Sequence, residues 1–184
     1  MRHGANLQSN PRVRIERCSA YGLDSAVQGT FDRVTCIGVL HHLAEPERAL
    51  ERMWKCVAPG GDLVLLVLFK EGNRLLLPVI QSLRMLGSKL PIKMSRPIAQ
   101  GVTIAAWPAI RLVPWRTDYY RKLKSLSFRN IELIIFDQML PRISNYWTRS
   151  DMERLLAPLE GGVSQIEFVQ GNSWHACTTK NSAS

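Results

Sequence analysis

At 184 residues the chain suits one domain with a real hydrophobic core, and 46% hydrophobic with 21% charged residues exclude a disordered polar chain. No apolar run approaches the roughly 18 to 20 residues of a bilayer span, the longest being Leu63 to Phe69. The net charge of +9 is concentrated between Arg84 and Lys124, where nine basic residues face one acid, Asp118. Cys18, Cys36, Cys56 and Cys177 are scattered, with no Cys-x-x-Cys pair and no secretory leader ahead of them. Reduced thiols in a cytoplasmic protein are expected.

Arg12 to Arg17 alternates Val13 and Ile15 with charged neighbours, which predicts a short strand. Phe31 to Gly38 is β-branched and apolar, and predicts a central strand with Val34, Cys36 and Ile37 buried in a sheet covered on both faces. After Glu45 and Pro46, the residues Ala49, Leu50, Met53, Trp54 and Val57 share one helical face. Pro59-Gly60-Gly61 supplies turn chemistry to end that helix, and Asp62 to Phe69 reads as a buried parallel strand. A strand, helix and strand in this order make a βαβ unit, and open α/β sheets bind ligands beyond the C-terminal ends of such strands, here after Gly38.

From Lys70 to about Lys124, Pro78, Pro91, Pro97, Pro108 and Pro114 predict short helices and turns. Ser127 to Met139 has strand propensity in IELII but helical spacing at Phe128, Ile131, Ile135 and Met139, and we read it as helix. Thr148 is a candidate cap for a helix with Asp151 in its first turn and a stripe of Met152, Leu155, Leu156 and Leu159. Val163 to Val169 and Ser173 to Thr179, joined by Gln170-Gly171-Asn172, predict a closing antiparallel pair.

The segment FDRVTCIGVLHHL, with EPERALERMWKCVAPGGDLVL after it, resembles the region from the fourth to the fifth strand of the class I methyltransferases grouped as type 11. The resemblance implies an α/β fold, a Rossmann-like sheet of which strands 3 to 7 are present and strands 1 and 2 missing, with a helical insertion after strand 5. It implies a partial methyltransferase domain over residues 1–184, with residues 70–126 an inserted, lid-like helical segment. The cofactor implied is S-adenosyl-L-methionine, walled by Cys36, Ile37, Gly38 and Val39 after strand 4 and by Ser19 and Ala20 after strand 3. The family's glycine-rich loop after strand 1 and the acidic residue ending strand 2 are not in this chain, which implies a weakened grip on the cofactor. The implied acceptor is a small, hydrophobic or lipid-like molecule. The alternative is an inactive remnant or a non-catalytic partner subunit. The second half, with Phe136-Asp137-Gln138, Pro141, Tyr146 and Ser173-Trp174, is also similar to a bacterial branch of the family.

His42 stands where a side chain would face the acceptor and orient or deprotonate it; the plainer reading is that His41 and His42 cap the following helix. Adjacent histidines diverge and no carboxylate or cysteine cluster completes a tetrahedral shell, so no metal is expected. The basic stretch, interleaved with Trp107, Trp115, Tyr119 and Tyr120, suits a solvated face over the substrate pocket. The functional readings are a lid for an apolar acceptor or peripheral membrane contact through 84–124, with nucleic acid not expected.

Overall fold

The computed structural model describes residues 12–68, 70, 77–112, 118–160, 162–169 and 173–182. After a single-turn helix α1 (Ser25–Gln28), four strands form one sheet: β1 (Phe31–Ile37), β2 (Val57–Leu68), β3 (Gly162–Val169) and β4 (Ser173–Lys180), in the order β1-β2-β4-β3. β1 and β2 are parallel, with Cys36 opposite Leu65, while β4 is antiparallel to both β2 and β3. The expected closing pair is therefore present. Its connecting turn, Gln170 to Asn172, lies outside the described residues.

Period two decides which side of the sheet is dry. Leu63, Leu65 and Val67 of β2 and Trp174 and Ala176 of β4 are buried, whereas Val64, Leu66 and Leu68 are half-buried. The buried face meets helix α2 (Pro46–Lys55) through Ala49, Leu50, Met53 and Trp54, and helix α7 (Arg149–Leu156) through Met152, Leu155 and Leu156. Each of the leucine, valine and methionine side chains among them contributes about 1.5 to 3 kcal/mol on burial. Proline at its first turn starts α2, and the Lys180 ammonium donates to the Trp54 and Val57 carbonyls (3.1 and 2.9 Å) at its other end. α7 opens with a reciprocal cap: Thr148 Oγ1 accepts from Asp151 N (3.2 Å), and the Asp151 carboxylate accepts from Thr148 N (2.9 Å).

Four expectations are corrected. Arg12 to Arg17 forms no strand. A strand exists only where a neighbour completes its ladder, and no described strand pairs with the outer edge of β1. β1 is accordingly an edge strand among the described residues, and Ile37 is 60% exposed instead of buried between two covered faces. Pro59-Gly60-Gly61 does not end α2, which stops at Lys55 with Cys56 as its cap. It lies inside β2 as a bulge, where one residue of β1, Asp32, stands opposite residues 58–61. Gly60 has φ +80°, and a Cβ on Gly61 would sit 2.7 Å from the Asp32 carbonyl oxygen. Gly61→Ala is expected to cost about 1 to 3 kcal/mol, read as a lower urea midpoint at unchanged slope.

The fourth correction concerns the prolines. α3 (Leu77–Gly87) precedes a single 21-residue helix α4 (Ile92–Leu112) that contains both Pro97 and Pro108. Each proline removes one helical N–H. The carbonyls released, on Lys93 and Ile104, belong to residues on the exposed side of the helix, where solvent is within reach. On the opposite side the small residues Ser95, Ala99 and Thr103 are buried, and α4 and α3 both pack on α6 (Phe128–Met139), the helix expected from spacing. Helix α5 (Asp118–Leu123) is short.

The basic stretch is not uniformly solvated. Lys89, Lys93 and Arg96 are exposed, but Arg84 is buried, and Arg111 stacks over Trp107 at 4.1 Å and donates to the Leu126 carbonyl at 2.8 Å. Trp115, and the side chains of Tyr119 and Tyr120, lie outside the described residues. No described helix is long and apolar enough to cross a membrane.

Candidate functional site at the end of β1

The β1 ladder runs one residue beyond the strand, because the Gly38 amide donates to the Leu66 carbonyl (3.0 Å). Gly38 then turns the chain with φ +71°, a conformation open to glycine at little cost. A Cβ placed on Gly38 would meet nothing within 4 Å. A short 3-10 turn, Leu40–His42, follows, closed by His42 N to Val39 O (2.8 Å) and anchored by fully buried Leu40. With Leu40 turned inward, Ile37 and Val39 remain 60% and 49% exposed. Ile37, Gly38 and Val39 thus form an open apolar ledge at the C-terminal edge of the parallel strands. This is where such sheets take their ligands.

Cys36 reaches the site through its backbone only. Its sulfur is buried, and burial pushes the thiol pKa up, partly offset by the backbone N–H groups of Leu40 and Val39. Ser19 and Ala20 sit apart in sequence on a second turn, Ala20–Gly22, which packs against the start of α2 as the Tyr21 hydroxyl accepts from Glu45 N (3.2 Å). Exposed Ser19 accepts from Tyr21 N (3.3 Å), which uses one of its two acceptor lone pairs.

The histidines do not cap α2, whose N-cap is Glu45 with no side-chain cap bond. They are held instead by a strap, residues 143–147. Asn145 N donates to His41 O (2.8 Å), Asn145 Nδ2 donates to Leu43 O (3.1 Å), and His42 Nδ1 lies 2.9 Å from Ile143 O. A carbonyl only accepts, so Nδ1 of His42 carries a proton, and in the neutral form of the ring the lone pair lies on Nε2. The strap is fixed to the sheet in turn: Trp147 N donates to Leu68 O (3.2 Å), and Trp174 Nε1 donates to Trp147 O (3.1 Å).

Beside this turn is a group that residue patterns did not single out. His41 is 5% exposed, and among the described residues its Nδ1 has no hydrogen-bond partner, as is true of the buried Ser144 Oγ on the strap. Burial, with the neighbouring His42 and Arg84 charges, lowers the His41 pKa to about 4. Arg84 is 6% exposed; its Nε donates to Gln138 O (3.2 Å) and its Nη2 to Gln138 Oε1 (3.0 Å) and the Tyr146 hydroxyl (3.4 Å). No local sequence signal marks these contacts, since their partners lie 54 to 62 residues away. Among the described residues, no group of three or more His, Cys, Asp or Glu is placed to hold a metal.

The parallel pair β1 and β2 with its crossover helix, continued by the antiparallel pair β4 and β3, has a Rossmann-like fold. An O-methyltransferase family protein from Burkholderia thailandensis shares this fold at a TM-score of 0.54 and 12% identity, over 99% of this chain and 39% of that one. Residues 2–63 match the family model described as a methyltransferase domain. The chain is 36% identical over 59 residues to the tRNA U34 carboxymethyltransferase of Wolinella succinogenes, 32% of this chain and 19% of that protein. It is 30% identical over 74 residues to the ubiquinone biosynthesis O-methyltransferase of Dechloromonas aromatica, 40% of this chain and 32% of that protein. The likeness to methyltransferases is thus concentrated in residues 2–63, about a third of the chain. The chain spans a third or less of the length of these two curated relatives.

Proposed function

We propose that the chain contributes to S-adenosyl-L-methionine-dependent methyl transfer to a small, hydrophobic acceptor. The observation that carries this reading is the ledge of Ile37, Gly38 and Val39, with open space above Gly38, inside the segment that matches the methyltransferase domain. The residues fit the group. An adenosyl moiety needs a flat apolar wall approached without a Cβ in the way, and the ledge offers both. Ser19, with one lone pair left, is suited to accept from the adenine amino group, and Ala20 lines the same turn.

When bound, the cofactor supplies an electrophilic methyl on a sulfonium. The chain's own task is to hold the acceptor in line and keep the site dry, which supplies much of the acceleration in such displacements. His42 has a role beyond positioning: its Nε2 lone pair, fixed by the bond to Ile143 O, takes the proton of the acceptor hydroxyl or amine as the methyl arrives. Helices α3 and α4, with exposed Ile92, Met94, Ile104 and Leu112 beside Lys89 and Lys93, support a lid for an apolar acceptor. No observation favours a non-catalytic remnant.

The chain contains no Gly-x-Gly-x-Gly loop, so its hold on the methionine end is expected to be slight. Titration calorimetry with S-adenosylhomocysteine is expected to give a Kd of about 1 mM, weakened at least about tenfold by Gly38→Leu, which fills the ledge. Equal affinity of the two proteins would remove the ledge from the reading.

A further inference from the structure

We propose that Arg84, His41 and Ser144 form a binding site for a carboxylate on an apolar molecule, and that the methyl acceptor carries this group. The second part rests on the methyl-transfer reading above; the first does not.

A guanidinium removed from water requires compensation, ordinarily by a carboxylate. Arg84 is buried, yet no acidic group of the described residues lies within ion-pair distance of it. Its Nε and Nη2 are spent on Gln138 and Tyr146, which also fix the plane of the group, with the Tyr146 ring 5.9 Å from the guanidinium carbon. Nη1 has no partner among the described residues. The guanidinium is thereby oriented with Nη1 available to a planar acceptor such as a carboxylate.

Two buried polar atoms close by also lack partners. Unmade hydrogen bonds on buried polar atoms are destabilising and uncommon in folded proteins, yet among the described residues His41 Nδ1 and Ser144 Oγ have none. They are neighbours, because Asn145 N is bonded to His41 O, and the Arg84 charge is felt at the His41 ring. All three groups meet the strap of residues 143–147: Ser144 belongs to it, the His41 carbonyl accepts from Asn145 N, and Arg84 donates to the Tyr146 hydroxyl. A carboxylate satisfies all three, taking one bond from Arg84 Nη1 and others from the Ser144 hydroxyl and the Nδ1–H tautomer of His41.

Charge selects the ligand class. With His41 neutral, the site offers one positive charge, which balances a monoanion and leaves a phosphate dianion half compensated. The partly exposed apolar side chains beside these groups, Leu140 after α6 and Ile143 on the strap, favour a ligand whose remainder is apolar. The acceptor implied is an aromatic or aliphatic carboxylic acid with a methylatable hydroxyl or amine, anchored by its carboxylate so that the second group faces His42 Nε2.

The test uses the 184-residue chain with benzoate, benzamide and inorganic phosphate, followed by histidine side-chain NMR. Benzoate is expected to bind saturably, at least about tenfold tighter than benzamide or phosphate, and to shift the His41 ring resonances, raising its pKa as an adjacent anion must. Arg84→Met is expected to abolish the preference for benzoate, and Arg84→Lys to retain part of it. Should Arg84→Met not fold, the His41 shift in the unaltered chain decides. Benzamide binding as well as benzoate, a His41 ring blind to benzoate, or Arg84→Met keeping the preference would each overturn the site. Phosphate binding tighter than benzoate would overturn the ligand class. Benzoate binding at Arg84 in a chain that gives no response to S-adenosylhomocysteine would leave the carboxylate site standing and defeat the methyl-transfer reading alone.

Discussion

Trp174→Ala is expected to lower stability by about 3 to 5 kcal/mol, the range for removing a buried tryptophan side chain, and to loosen the functional turn with it. Trp174 is buried, stands opposite Val67 of β2 and Phe168 of β3, and meets the Phe168 ring edge-on at 5.6 Å. Its indole N–H also fixes the Trp147 carbonyl, so one residue both fills the core and ties the strap to the sheet. The alanine variant leaves a cavity and frees the strap that holds His41 and His42. Urea denaturation measures the first effect, and the His42 ring resonances, which depend on the bond to Ile143 O, measure the second. Trp174→Phe separates them: most of the burial remains and only the indole bond is lost, for a cost of about 1 kcal/mol. An unchanged urea midpoint for Trp174→Ala would contradict the first effect, and unchanged His42 ring resonances would show that the strap and sheet are not coupled in this way.

The second large effect is acid sensitivity carried by one imidazole. His41 has its pKa lowered from 6.5 to about 4 in the folded chain, by burial first and then by the His42 and Arg84 charges. The unfolded chain therefore binds this proton at pH values where the folded chain does not. Stability from the neutral ring is complete above pH 6.5 and is lost as the pH falls from there through 4, by up to about 3 kcal/mol at 1.36 kcal/mol for each unit of separation. Urea midpoints between pH 7.5 and 4 are expected to fall more steeply for the unaltered chain than for His41→Asn, which has no proton to take up. Parallel slopes would mean that His41 titrates normally.

Most of the sheet could be read from local pattern, because the residues that make each element are adjacent in the chain. The apolar run of β2, the one-sided stripe of α2, the Thr148–Asp151 cap of α7 and the closing hairpin strands all carry their own signals. The failures share a physical cause, which is dependence on something distant. Arg12 to Arg17 has strand alternation but no ladder partner, and Pro97 and Pro108 fit within α4 because its buried side packs on α6 while the released carbonyls lie on its exposed side. The Gly-Gly pair after Pro59 looked like a helix stop and became a bulge because α2 had already ended.

The site shows the same division. Ile37 to Val39 lie together in sequence and in space, so the ledge was legible from the strand and the glycine that follows it. The tautomer of His42 was not, since the carbonyl that sets it is 101 residues away. Arg84 was hidden in plain composition. One arginine among nine basic residues reads as surface charge until Gln138 and Tyr146 are seen to enclose it.

The central claim, that the cofactor's adenosyl group lies across the end of β1, is tested most directly by backbone amide shifts on addition of S-adenosylhomocysteine to the isotopically labelled chain. The expected result is a saturable set of shifts centred on Ile37, Gly38 and Val39, with smaller ones at Ser19 and Ala20, abolished by Gly38→Leu. Shifts confined to other surfaces, or none at concentrations of several times about 1 mM, would contradict it.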